Sequence, residues 1–113
     1  PRRRRIFVAT GTGIAPFLAE FEQGVRADDV LLLGLATTSE DPTTRLDTTL
    51  PRVIHCVSRE NTTGTFHGRV THYLRAHGID TRADYYVCGS PLMVADVTRL
   101  IRDAGGHVHT ESF

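Results

Sequence analysis

Apolar positions fall in short runs separated by polar turns, and the spacing changes from run to run. Ile6-Phe7-Val8-Ala9 is short and rich in β-formers, and it stops at Thr10-Gly11-Thr12-Gly13. That predicts a buried strand entering a glycine turn. Ile14 to Val25 has helical spacing, with Phe17, Leu18, Phe21 and Val25 on or near one face. Pro16 suits its first turn, where a missing N–H is no loss. Gly24 weakens its end. Val30 to Ala36 is apolar throughout, the mark of a strand covered on both faces. Thr37 to Pro51 is polar and reads as a loop, with at most one helical turn near Arg45 to Leu50. Val53 to Val57 is a third strand and Asn61 to Gly68 a loop. Val70 to His77 is helical on Val70, Tyr73 and Leu74, with Gly78 placed to close it. Asp84 to Gly89 is a fourth strand. Leu92 to Ala104 is the strongest helix, built on Leu92, Val94, Val97, Leu100 and Ile101 and ended by Gly105-Gly106. His107 to Phe113 can form a short last strand.

Alternation of this kind implies an α/β fold: a doubly wound, parallel, five-stranded sheet with helices on both faces. No repeat or low-complexity linker divides the 113 residues, so 1–113 reads as one domain.

Charge and cysteine content narrow the function classes. The 13 basic and 13 acidic residues balance, so no global field favours nucleic acid. Every basic residue is arginine, and Arg2 to Arg5 form the one cluster. That run is either a phosphate-binding arm or a solvated lead-in to the first strand. Cys56 and Cys88 show neither a disulfide framework nor a metal-knuckle spacing, so a reduced, cytoplasmic setting is expected. No apolar stretch reaches the ~20 residues of a membrane helix, and no membrane insertion is expected. The start Pro-Arg-Arg-Arg-Arg is not a secretory signal, and without Met it fits a fragment or processed chain.

In an open parallel sheet, ligands bind beyond the carboxyl ends of the strands. Three segments sit there. Thr10-Gly11-Thr12-Gly13-Ile14-Ala15-Pro16 lets backbone approach a phosphate at a helix start; a tight strand-to-helix turn is the plainer alternative. Pro16 replaces the third glycine of the dinucleotide fingerprint, and no acid ends the strand at Gly34-Leu35-Ala36. Ser58 and Arg59, with Arg69, make a cradle for a 2′-phosphate or a solvated arginine pair. In Cys88-Gly89-Ser90-Pro91-Leu92-Met93, Gly89 permits close approach, Ser90 can cap the helix that Pro91 begins, and Cys88 is either buried and inert or beside a reacting ring. Cys56 lies inside a strand and reads as core packing. His107 and His109 share a strand face but have no third ligand nearby, so no metal site is expected. Ser58 has no base partner for a hydrolase triad.

Taken in order, these segments resemble the nucleotide domain of the ferredoxin–NADP reductase family, which includes ferredoxin reductases, oxygenase reductase components and flavohaemoglobins. The resemblance is carried by Ala9 to Phe17, Val57-Ser58-Arg59-Glu60, Gly68-Arg69-Val70, Tyr86 to Val94 with its Cys88-Gly89-Ser90-Pro91, and His109-Thr110-Glu111-Ser112-Phe113. It implies that Thr10 to Pro16 hold the pyrophosphate and nicotinamide ribose. Ser58, Arg59 and Arg69 would take a 2′-phosphate, favouring NADP with NAD possible. Cys88 would sit beside the nicotinamide in a pocket shaped by Gly89 and Met93. Glu111 would assist at the redox centre, and Phe113 would cover the flavin ring. The implied activity is hydride transfer from NAD(P)H to FAD, with ferredoxin or another acceptor taking the electrons. Two departures stand out. Relatives often carry an Arg after the second strand, absent here. Their FAD-binding barrel, expected before this domain and expected to hold most of the FAD, has no counterpart in these residues. The chain alone is therefore expected to bind nucleotide, catalyse little and purify without flavin. The same motifs would also serve a regulatory or docking module without redox activity.

Overall fold

In a computed structural model of the chain, residues 2–112 are described, 111 and 112 by backbone alone. The strands are β1 (Arg5–Thr10), β2 (Val30–Leu35), β3 (Arg52–Val57), β4 (Phe66–His67), β5 (Asp84–Gly89) and β6 (His107–Ser112). The helices are α1 (Ala15–Gln23), α2 (Val70–His77) and α3 (Pro91–Asp103). All strands lie in one sheet in the order β4-β3-β2-β1-β5-β6, and every pairing is parallel. The sheet has six strands where the hydrophobic pattern predicts five. The extra one is the two-residue β4, inside the stretch read as loop, where it pairs Phe66 with Cys56 and His67 with Val57. Two residues are too few to carry a period.

The chain steps from β1 to β2 to β3 in one direction, then crosses to β5 and β6 on the far side of β1. Right-handed crossovers therefore put α1 on one face and α2 and α3 on the other. The core divides accordingly. Phe7, Ala9, Leu31, Leu33 and Leu35 pack with Phe17 and Phe21 of α1. Phe7 meets both of those rings edge-on, at centroid distances of 5.1 and 4.9 Å. On the opposite face, Ile6, Val8, Val30, Leu32 and Val87 pack with Val70 and Leu74 of α2 and with Val94, Val97 and Ile101 of α3. All six residues of β2 are buried, as a strand covered on both faces must be.

Between β2 and β3 there is no α-helix. The expected turn near Arg45 to Leu50 is not there; two 3₁₀ turns come earlier, at Thr38–Glu40 and Pro42–Arg45. Asp41 explains the second. Its carboxylate accepts the Thr43 N–H at 2.9 Å and the Thr43 hydroxyl at 2.6 Å, and Pro42 fits the first turn. Beyond it, Leu46 and Leu50 pack against the α1-side core. Asp41 also meets His55 Nε2 of β3 at 2.8 Å. Burial would raise the Asp41 carboxyl, but the Thr43 hydrogen bonds and the facing His55 outweigh it and hold it below its ordinary value.

The arginine run leads into β1 with Arg2, Arg3 and Arg4 solvent-accessible, and each of its side chains meets an acid. Arg2 meets Asp28 at 3.1 Å, Arg3 meets Asp84 at 3.2 Å, Arg4 meets Asp80 at 3.9 Å, and Arg5 meets Asp29 at 2.6 Å. The first three are exposed or half-buried ion pairs of small individual worth. Arg5–Asp29 differs, because Asp29 is 1% exposed and also accepts the Arg26 N–H at 2.8 Å. This pair locks the loop before β2 to the entry of β1, at the amino end of the sheet. Among the described residues, no helix is long and apolar enough to cross a membrane.

Candidate functional site

The strand order reverses between β1 and β5, so the carboxyl ends of these parallel strands are where a crevice should open. A cavity of about 630 Å³ lies there. Thr10, Gly11 and Thr12 form one wall; Ser90, Leu92, Met93 and Asp96 at the start of α3 form another. Ser58, Arg59, Arg69 and Thr71 bound the β3 side, and Gly34, Leu35, Ala36 and Cys56 form the floor. The volume is in the range of small-molecule and cofactor sites.

The two glycines of the first turn have different tasks. Gly11 has φ +51°, and a Cβ there would meet nothing within 4 Å. It faces the cavity and leaves backbone open to a ligand. Gly13 is buried, and a Cβ there would overlap the Cys88 carbonyl oxygen and stand 2.8 Å from Gly89 Cα. It is glycine because the turn packs on the end of β5. Gly89 serves the same contact from the other side, since a Cβ would overlap Thr10 Oγ1 and lie 2.9 Å from Met93 Cε. Close approach of β1 and β5 thus depends on Gly13 and Gly89 together.

Of the residues singled out from sequence, Thr10, Gly11, Thr12, Ser58, Arg59, Arg69, Ser90 and Met93 line the cavity. Gly13, Ile14, Ala15, Pro16, Cys88, Gly89 and Pro91 do not. Ile14 is a core residue beside Phe17, and Pro16 stands in the first turn of α1. Ser90 occupies the N-cap position of α3 without a side-chain cap hydrogen bond, and Pro91 begins the helix. Cys88 is buried in the α1-side core. The Glu111 side chain and Phe113 lie outside the described residues. Cys56, read as core, is fully buried at the cavity floor, and burial pushes its thiol up to about 12.

Electrostatically the cavity is mixed. No carboxylate pairs with Arg59 or Arg69 among the described residues, so both cations are available to a ligand. Two acids, Glu40 and Asp96, also line the cavity, and neither stood out in the sequence. Glu40 stands on the 3₁₀ turn after β2, five residues past the strand's end, beyond where an acid would be sought. Asp96 follows Leu92 and Met93 by one turn of α3, so helical spacing was the signal for it. Leu92 is the exposed large apolar side chain of the described residues, at 79%. His109 stacks on Tyr86 at 4.9 Å, away from the cavity lining. No cluster of three or more metal-ligating side chains occurs among the described residues.

The family model of the oxidoreductase NAD-binding domain matches residues 7–99, most of the chain. This chain belongs to that family. It is the nucleotide-binding part of the ferredoxin reductase type. Two solved structures share the fold over the full length of the chain. One is a flavohemoglobin from Malassezia yamatoensis with bound FAD and heme (17% identity, TM-score 0.71). The other is the flavohem-like FAD/NAD-binding domain of a nitric oxide dioxygenase from Vibrio cholerae O1 biovar El Tor (16% identity, TM-score 0.76). The chain spans 32% of the first and 52% of the second. No curated protein matches it.

Proposed function

We propose that the chain binds a nicotinamide dinucleotide in this cavity and presents the nicotinamide for hydride exchange with FAD held mainly by another domain. The supporting observation is the meeting of open backbone at Gly11, hydroxyls at Thr10 and Thr12, the start of α3 at Ser90, and Arg59, which pairs with no carboxylate among the described residues, all on one cavity where the strand order reverses. Backbone N–H groups at Gly11 and Thr12 and at the start of α3 would bind the pyrophosphate. Ser58, Arg59 and Arg69 would take a 2′-phosphate, which supports NADP(H) over NAD(H). Met93, held against Gly89, would flank the nicotinamide and keep water from it. Cys88 would act through its backbone and volume beneath that ring, because its side chain is buried. Glu111 and Phe113 are proposed at the flavin side. Hydride and electron transfer are supplied by the bound cofactors; the chain supplies position and field. Onward transfer to ferredoxin or a similar acceptor is part of the proposal.

Calorimetric titration with NADP⁺ and NAD⁺, beside Arg59→Ala, tests it. The unaltered chain should bind NADP⁺, and the variant should lose about tenfold in NADP⁺ affinity with little change for NAD⁺. Equal loss for both nucleotides would remove the 2′-phosphate assignment. Binding of neither would overturn the nucleotide reading of the chain.

A further inference from the structure

The β2–β3 connection brings an acid to the side of the cavity where the two arginines stand. Glu40 lines the same cavity as Ser58, Arg59 and Arg69. Its turn is fixed to the Arg59 segment by two independent bonds. The Arg59 backbone N–H donates to the Ala36 carbonyl at 2.9 Å. The Glu60 carboxylate accepts the Thr38 N–H at 2.6 Å. The second bond satisfies a donor at the start of a 3₁₀ turn whose own N-cap residue, Thr37, offers no side-chain cap. It also holds the Glu60 carboxyl below its ordinary range. The turn carrying Glu40 is therefore clamped beside Arg59.

We infer that Glu40 sets nucleotide selectivity, restraining the preference for a 2′-phosphate that Arg59 and Arg69 create, and that Glu60 is the positioning residue that holds it there. This rests on the nucleotide reading of the cavity. A carboxylate accepts hydrogen bonds from a ribose 2′-hydroxyl but repels a 2′-phosphate, which offers acceptors and negative charge. A guanidinium attracts the 2′-phosphate by charge and paired hydrogen bonds, and can only donate to the hydroxyl. A site holding both discriminates less than one holding either alone. Asp96 is a control, because it is an acid of the same cavity carried by α3 and not by the clamped turn.

The experiment is calorimetric titration of the 113-residue chain and its variants with NADP⁺ and with NAD⁺. Glu40→Gln should raise NADP⁺ affinity at least about fivefold while changing NAD⁺ affinity less than about threefold. Asp96→Asn, equal in charge change, should alter the NADP⁺/NAD⁺ ratio less than about twofold. Glu60→Ala should move the ratio in the Glu40→Gln direction. Glu60→Gln, whose amide oxygen still accepts the Thr38 N–H, should keep it near that of the unaltered chain. If both nucleotides bind and Glu40→Gln leaves the ratio within twofold, or shifts it no more than Asp96→Asn, the assignment of Glu40 is overturned. If Glu60→Ala and Glu60→Gln behave alike, the positioning role of Glu60 is overturned. Failure of the unaltered chain to bind either nucleotide would overturn the nucleotide reading, and the inference with it.

Discussion

Gly13→Ala separates packing from ligand binding in the first turn. The added Cβ would stand 2.8 Å from Gly89 Cα and 2.9 Å from the Cys88 carbonyl carbon, and would overlap the Cys88 oxygen. Cβ contacts under 3.0 Å essentially never occur, and all three neighbours are backbone of a central strand, which cannot turn aside as a side chain would. Overpacking of this kind costs about 3 kcal/mol, the upper part of the usual range. At roughly 4 °C per kcal/mol for a domain of this size, Tm should fall by about 12 °C, with no nucleotide present. Gly11→Ala is the companion. Its Cβ meets nothing, and only the φ of +51° opposes it, a cost of roughly 1–2 kcal/mol. Differential scanning calorimetry without ligand should therefore rank Gly13→Ala well below Gly11→Ala. A fall of under 3 °C for Gly13→Ala, or the reverse order, would refute the packing argument and return Gly13 to a purely ligand-facing role.

Asp29→Asn should cost about 3 kcal/mol in urea unfolding, because it leaves the largely buried Arg5 guanidinium without its 2.6 Å carboxylate partner; a loss under 1 kcal/mol would show that Glu20, 3.8 Å away, suffices. Acid should loosen the Asp41 turn. The folded carboxyl lies below its ordinary value, so its stabilisation is complete above the unfolded pKa of about 3.9 and is lost as pH falls below it through the folded pKa. Asp41→Asn should thus flatten part of the stability decline below about pH 4, and an unchanged slope by urea titration would contradict that.

The architecture was legible where burial leaves a continuous signature. Ile6 to Ala9, Val30 to Leu35 and the Val94, Val97 and Ile101 stripe are apolar because both sheet faces and one helix face are covered, whereas Leu92, read as part of that helix face, is exposed because it stands in the first turn of α3 at the cavity. What escaped has particular causes. β4 is two residues long, and its partners on β3 lie ten residues back. The turns at Thr38 and Pro42 draw on Glu60 and Asp41 side chains and not on hydrophobic period. The arginine run finds its acids at positions 28, 29, 80 and 84, which no local reading connects. At the site, the glycine turn was found, but the sequence does not distinguish Gly11, open to the cavity, from Gly13, packed on Cys88. Glu40 was not legible because a ribose-binding acid is expected at the end of β2, whereas here the chain makes one further turn before an acid reaches the cavity.

The central claim is that a nicotinamide dinucleotide lies across the carboxyl ends of β1, β3 and β5. Amide chemical-shift mapping of the ¹⁵N-labelled chain during NADP⁺ titration tests it most directly. Shifts should concentrate at residues 10–12, 58–59, 69–71 and 90–93, with the amino end of the sheet around Arg4, Asp29 and Asp80 unmoved. Shifts centred on that amino end, or none at saturating nucleotide, would contradict the account.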